Sequence, residues 1–485
     1  MDTGTHIKTS NVILFLVLLI PAILIRFVLP LHFPSTNIDE GFWTMSAQNS
    51  VLADDPLACQ VPHIFLSPLH YLTIWSAFSL FGPSLAISRW ISALFGMGVI
   101  AFTYLLGRRF FNRKVGAIAA LLVAYNSLMI LSSRWAMLEQ EVIFYMLVAC
   151  WFWFHPRREL HWISGLFLGA ALSVKIYTLA LFAPLLLDEF FSAEAIKIKP
   201  FISRLQKSHL FALGLSIILP VVLYSVFWHI SPEGFTQAWL SHSIHRWAAS
   251  HLFEFAYTFM THSPDLVLLA LAGFVLGVIK RRPAMVFLGS WPIFTFLLVS
   301  AQAFRPARYY FPIIPVLAIL AALLLVELSR DFIRKPWRLR AVYSLIVLMC
   351  LFQIVRLAPY YREGRETTEP VIAAAEYIEV HTSPGEPVLA PFDFGPYVVR
   401  PIVPLRLFNL EHYQLSQNPD FKLSQPWTQY VMYLWARPGD GGPSDRWTEN
   451  FLSSHYREVF RSGRVVVMEL ADAEQHPSRT LRIGD

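Results

Sequence analysis

A small set of ionisable side chains in a chain poor in them sets the chemistry to look for. Asp39 and Glu40 are adjacent carboxylates that follow directly on the apolar run 11–30, where a chain leaving a bilayer meets water. Ionisable groups at such a depth are costly unless they are used, so the pair is a candidate site. The plain alternative is a solvated loop pair, with Glu40 capping a helix that begins at Gly41. Glu139 and Glu141 lie just after a second apolar run, with Arg134 at hand as a structural partner for one of them. Lys175, Arg246, Arg305 and Arg308 are cations scattered through the sequence, mostly at the ends of apolar runs. A positioned carboxylate can accept a proton, and arginine can hold two anionic oxygens at once. Such residues on one membrane face point to an anionic ligand and a proton acceptor beside it, against the plainer reading that each cation merely snorkels to the interface. His242, His245 and His251 are spaced by three and six residues, which reproduces no known ligand motif, so they are read as loop histidines.

The elements that must carry these groups follow from composition. Of 485 residues, 55% are hydrophobic and only 15% charged, where soluble domains carry about 25% charged residues. The mean hydropathy is +0.49. This is the composition of an integral membrane protein. The net charge of +6 does not indicate nucleic acid, because the basic residues sit in short loops between apolar segments. Cys59 lies in a loop and Cys150 and Cys350 in apolar runs, which makes no disulfide framework. The first apolar run is too long for a removable signal peptide and is read as a retained span.

Spans are expected at about 11–31, 84–106, 115–132, 140–155, 161–174, 176–191, 209–230, 264–280, 283–302, 309–328 and 340–358. The stretch Ile64 to Phe81 is short and interrupted by Ser67, Pro68 and His70, so it is read as an aromatic helix lying in the interface of a first external loop, 32–83. The long run 116–154 is broken around Arg134 to Glu141, and the run 162–191 turns at Lys175. With these choices all the strongly basic loops share one side, including Arg108, Arg109, Arg113 and Lys114, then Lys280, Arg281 and Arg282, then Arg330 to Arg340. Positive charge marks the cytoplasmic side, so eleven spans put the N-terminus inside and the C-terminus outside. Asp39, Glu40, Glu139, Lys175, Arg246, Arg305 and Arg308 then fall on the outer side.

From Pro359 the composition changes. Thr367 to His381 reads as an amphipathic helix, and Pro387–Pro391, Arg400–Pro404 and Val465–Leu470 read as short strands. The expected organisation is a membrane domain, 1–358, followed by a soluble extracytoplasmic α/β domain, 359–485, with neither a nucleotide loop nor a metal spacing.

Several stretches resemble one family. They are Asp39-Glu40 with Ala47; Pro68-Leu-His-Tyr-Leu to Leu80-Phe-Gly; Arg89-Trp-Ile-Ser-Ala-Leu-Phe-Gly with Tyr104-Leu-Leu-Gly-Arg-Arg-Phe-Phe; Arg134-Trp-Ala-Met-Leu-Glu139; Gly165 to Lys175; and Arg308-Tyr-Tyr-Phe-Pro-Ile-Ile-Pro. In order, spacing and sidedness they resemble the polytopic glycosyltransferases of the GT-C fold that use a lipid-linked sugar donor, such as the protein O-mannosyltransferases and the lipid A aminoarabinose transferases. The resemblance runs over about residues 11–320. It implies that Asp39 is the catalytic base of the first external loop and that Glu139 stands at a second acidic position, usually Asp. The aminoarabinose branch has Glu-Lys-Pro before its aromatic helix; Leu66-Ser67-Pro68 stands there in this chain, which argues against that branch's specificity and against a metal at that point.

The expected reaction is sugar transfer from a polyprenyl phosphate to an acceptor hydroxyl on a protein, glycan or lipid. The leaving phosphate is already an anion and needs cations, Lys175, Arg246, Arg305 and Arg308, in place of a proton donor. One base without a matching acid points to inversion by single displacement. No cofactor is obligatory, a divalent metal is left open, and no nucleic acid is involved. Two other classes fit less well. A secondary transporter would place its charges near the midplane, often in inverted repeats, and no internal repeat is visible. An assembly factor acting through an outer domain needs far fewer spans as an anchor.

Overall fold

In hydrocarbon every backbone N–H and C=O must be satisfied within its own segment, so apolar runs fold as helices. The structure is a computed structural model and describes residues 9–34, 38–54, 63–192, 207–243, 257, 259–300, 307–331, 336–391, 394–405, 428–434 and 443–471. The described helices are α1 (Thr9–Phe27), α2 (Ile38–Leu52), α3 (His63–Leu66), α4 (Pro68–Phe81), α5 (Leu85–Phe110), α6 (Arg113–Tyr125), α7 (Ser127–Arg134), α8 (Glu139–Trp153), α9 (His161–Val174) and α10 (Phe182–Ser192). They continue with α11 (Lys207–Ile230), α12 (Pro232–Ser243), α13 (Pro264–Ile279), α14 (Met285–Ser300), α15 (Ile314–Asp331), α16 (Pro336–Val355), α17 (Ala358–His381) and α18 (Pro443–His455).

Among the described residues four helices are long and apolar enough to cross a membrane, and a fifth if the bent pair α6 and α7 is one span. The expectation of eleven treated each apolar run as a full crossing. Several of those runs fold as shorter helices, such as α8 with 15 residues, α9 with 14 and α10 with 11, about 16–22 Å long against a hydrocarbon core of ~30 Å. The run 115–132, expected as one span, bends by 61° between α6 and α7. The cause is Asn126, whose side chain accepts from the Met129 N–H and starts a new helix. The stretch 64–81, expected to lie in the interface, folds as α3 and α4, with Ser67 between them and Pro68 opening α4.

Close helix packing depends on small residues where lipid supplies no hydrophobic drive. A Cβ on Gly165 of α9 would lie 2.1 Å from the Ala212 carbonyl oxygen of α11, so that crossing admits only glycine. At one end of the bundle Phe110, Phe154 and Phe287 meet with ring centroids 4.8 to 5.8 Å apart. These rings gather the basic turns near Arg108, Arg157 and Arg282. Lys280 and Arg282 both pair with Glu327 at the same end. Because α8 begins at Glu139 and ends at Trp153 beside this aromatic cluster, Glu139 lies at the far end.

Over that far end sits a five-stranded sheet in the order β2-β1-β3-β5-β4, formed by β1 (Val388–Ala390), β2 (Ile402–Pro404), β3 (Tyr430–Leu434), β4 (Tyr456–Ser462) and β5 (Val465–Leu470). β1 is parallel to β2 and β3, while β3–β5 and β5–β4 are antiparallel. β1, β2 and β5 occupy the segments that the sequence marks as strands. One face buries Val371, Ala374 and Ile378 of α17 together with Met45 of α2, and the other buries Leu452 of α18. The sheet is therefore docked on α2. Gln48 donates to the carbonyls of Val398 and Arg400, each at 2.7 Å. Asn49 both donates to and accepts from the Ile402 backbone at 2.9 Å, and the Tyr397 hydroxyl donates to the Leu31 carbonyl at 3.1 Å.

Candidate functional site

Two adjacent residues of α2 face different surroundings. Both belong to the first turn, where the helix N-terminus favours negative charge. Glu40 is fully buried. Arg89 of α5 donates to both of its oxygens, Nε–Oε1 2.8 Å and Nη2–Oε2 2.6 Å, and the Ala136 N–H donates at 2.7 Å. Arg89 also donates to the carbonyls of Pro30 at 2.6 Å and Pro34 at 3.2 Å. Arg134, expected to pair with Glu139 or Glu141, instead donates to the carbonyls of Ile25, Val28, Leu29 and Phe33. The segment entering α2 is thus clamped by two buried guanidiniums, for backbone carbonyls left over at the end of α1 need donors.

Asp39 turns the other way. Its Oδ2 lies 2.5 Å from Arg308 Nη1, with both side chains about one-fifth exposed. Arg308 stands in the 3-10 turn Ala307–Ile313 that leads into α15, and its Nε lies 3.4 Å from Glu139 Oε1. Lys175 reaches the same Oε1 at 2.9 Å. It does so because α9 ends at Val174 and the extended backbone of Lys175 precedes a 3-10 turn. The Lys175 ammonium also lies 4.1 Å from the ring centroid of Tyr309 and 5.1 Å from that of Tyr177. Four residues distant in sequence therefore form an alternating chain, Asp39–Arg308–Glu139–Lys175, at the end of the bundle opposite the basic turns.

This arrangement alters the acidity of Asp39. Burial pushes its carboxyl above the usual aspartate value; Arg308 opposes the shift, and Glu139 adds to it by like-charge repulsion. Glu139 itself is buried, and its Oε2 has no hydrogen-bond partner among the described residues. The Tyr177 hydroxyl is in the same condition. Buried polar atoms without partners are unusual in folded proteins, and both of these residues adjoin the ion-paired cluster.

Of the residues expected from sequence, the fold brings together Asp39, Glu139, Lys175 and Arg308. It seals Glu40 away from them. Arg246, Arg305, His245 and His251 lie outside the described residues. Among the described residues no three His, Cys, Asp or Glu side chains are placed so that they could hold a metal ion. Sequence reasoning gave no role to Arg89, Tyr177 or Tyr309. Arg89 had a signal, being a cation four residues inside an apolar helix; the tyrosines had none, because only the fold sets them against Lys175.

The described residues form a helical bundle with an ion-paired cluster, Asp39–Arg308–Glu139–Lys175, at the end covered by an appended sheet. Residues 62–228 match the family model described as dolichyl-phosphate-mannose-protein mannosyltransferase. Among solved structures, ArnT from Cupriavidus metallidurans, determined bound to undecaprenyl phosphate and in the apo state, superposes with a TM-score of 0.65 at 17% identity over 95% of this chain and 98% of that chain. The archaeal oligosaccharyltransferase AglB from Archaeoglobus fulgidus, in complex with an inhibitory peptide and a dolichol-phosphate, gives 0.48 at 15% identity over 88% of this chain and 70% of that chain. No curated protein matches the chain.

Proposed function

We propose that this protein is a membrane glycosyltransferase that moves a sugar from a polyprenyl-phosphate donor to an acceptor hydroxyl, with inversion. The observation that carries the reading is the Asp39–Arg308 contact within the Asp39–Arg308–Glu139–Lys175 chain. It joins one partly exposed carboxylate to two cations, as expected for a proton acceptor beside a phosphate site. The family match over residues 62–228 and the ArnT-like fold support the donor class.

In the reaction the acceptor oxygen attacks the anomeric carbon, and the bond from that carbon to the phosphate oxygen breaks, its electron pair leaving on the phosphate. The hydroxyl proton passes to Asp39. Arg308 and Lys175 hold the phosphate as it gains charge, where prepositioned cations in a partly desolvated cleft act most strongly. Arg246 and Arg305 are further candidates for the same duty. Before donor binds, Arg308 is shared with Asp39. A phosphate that draws the guanidinium away removes the counter-charge from Asp39 and makes it a stronger base, which links donor binding to readiness for the acceptor. Glu139 orients both cations, and Glu40 holds the helix that carries Asp39.

The basic turns face the cytoplasm in this reading, which sets the cleft and the C-terminal sheet on the extracytoplasmic side. The test is Asp39→Asn, expressed in membranes and assayed for transfer from undecaprenyl-phosphate-linked sugars with protein abundance as control. Loss of transfer at normal abundance is the expected result; transfer at the wild-type rate would end the proposal.

A further inference from the structure

A second polar group is linked to the ion-paired cluster through α8 and has no duty in the reaction above. His70, in the first turn of α4, is buried, with 1% of its surface exposed. Its Nδ1 lies 2.6 Å from Glu141 Oε2. The other carboxylate oxygen of Glu141 accepts from the Thr73 hydroxyl at 2.9 Å and the Tyr145 hydroxyl at 3.2 Å. A carboxylate oxygen against an imidazole nitrogen accepts a hydrogen bond from it, so the geometry favours the tautomer with the N–H at Nδ1. Nε2 is then a lone-pair acceptor, and it has no hydrogen-bond partner among the described residues. A carboxylate that fixes the tautomer while the far nitrogen stays open is the arrangement of a histidine that meets a ligand.

The position supports the same conclusion. Trp43 stands edge-on to the His70 ring at 5.9 Å between centroids. It follows Asp39 by one turn of α2, about 5–6 Å along the helix axis, and is only partly buried. From the other side, Glu141 follows Glu139 by two residues in the first turn of α8, so this turn sends one carboxylate to the cations and the other to His70. The dyad is thus linked to the ion-paired cluster through both α2 and α8, with the Trp43 ring between.

We propose that His70 is a substrate-contacting residue whose Nε2 accepts a hydrogen bond from a hydroxyl of a sugar ring, the transferred sugar or a glycan acceptor, packed against Trp43. The proposal rests on the glycosyl-transfer reading. It assigns His70 to the sugar and not to the lipid phosphate, so its effect must vanish when the sugar is removed.

Purified full-length protein is titrated with undecaprenyl phosphate, which carries no sugar, and with undecaprenyl phosphate esters of mannose, glucose, galactose and 4-amino-4-deoxyarabinose. His70→Asn keeps a group at the Nδ1 position to meet Glu141 but deletes Nε2; His70→Gln returns a polar atom near Nε2. The expected outcome is that His70→Asn weakens binding of the preferred ester by about 3- to 10-fold, the size of one neutral hydrogen bond. Undecaprenyl phosphate binding stays unchanged, and His70→Gln recovers part of the loss. If instead the donor preference is intact and the acceptor KM rises by that factor, the hydroxyl belongs to the acceptor. Equal weakening of sugar-free and sugar-bearing lipid, or no change in either parameter, overturns the proposal. Transfer that survives in Asp39→Asn would remove the functional reading while leaving these binding results to stand on their own.

Discussion

Asp39 and Glu40 are neighbours in the chain and opposites in the fold. Glu40 is buried, held bidentately by Arg89 and by a backbone N–H, with every strong partner satisfied inside the protein. Asp39 is partly exposed and shares an ion-pair partner, Arg308, with another carboxylate. The difference separates an acid locked in a saturated pair from one whose cation is shared. A saturated, desolvated ion pair resists change because breaking it leaves an uncompensated buried charge, whereas a shared and accessible one can be rearranged by an incoming anion.

The comparison can be broken by exchanging the roles. Asp39→Asn is expected to lower kcat by ~10²- to 10⁴-fold, the range for loss of a positioned base, with wild-type abundance in membranes. Glu40→Ala and Arg89→Ala are expected to destabilise the protein by about 3–5 kcal/mol, read as lost abundance and a lower unfolding temperature in detergent. A Glu40 variant that is abundant but inactive, beside an Asp39 variant that fails to accumulate, would reverse the assignment.

It can be sharpened through the cations. Lys175→Ala and Arg308→Gln are each expected to weaken undecaprenyl phosphate binding by about 10- to 100-fold, as for loss of a charged hydrogen bond. Binding unaffected by either change would remove the phosphate role.

The pH dependence is a finer probe. Asp39 must be ionised to accept a proton, and its carboxyl is raised above the usual aspartate value by burial. The acid limb of kcat/KM, which reports the free enzyme, is therefore expected above the pH of an ordinary aspartate, with activity lost as pH falls through it. Arg308 holds that value down, so Arg308→Gln moves the limb to still higher pH. A limb that stays in place in this variant would show that Asp39 is not the group observed.

The smallest effect concerns the sheet. Asn49→Ala removes both bonds to Ile402 and is expected to cost about 1–3 kcal/mol, seen as faster proteolysis of the C-terminal segment while undecaprenyl phosphate binding persists.

Much of this was legible in one dimension. The break at Arg134–Glu141, the interruption at Ser67–Pro68 and the turn at Lys175 were marked by charged, proline or polar residues inside apolar runs, which a continuous buried helix does not tolerate. The bend at Asn126 was missed because one polar residue within an apolar run is also compatible with a straight helix whose side chain faces a neighbour. β3 and β4 were missed as well. Tyr430–Leu434 is too short to separate from a loop by periodicity, and Tyr456–Ser462 carries charges on its exposed face.

The residue types by themselves determined that this chain enters a membrane, that its basic turns share one end, and that scarce carboxylates and cations stand at the other. These are consequences of transfer free energy, which acts on each segment where it lies. Which acid pairs with which cation was decided only by tertiary structure. A one-residue step along α2 rotates a side chain by 100°, and that rotation has meaning only once α5 stands on one side and the turn before α15 on the other. The fold therefore buried Glu40 against Arg89 and left Asp39 partly exposed beside a shared cation, two outcomes that the adjacent letters could not distinguish.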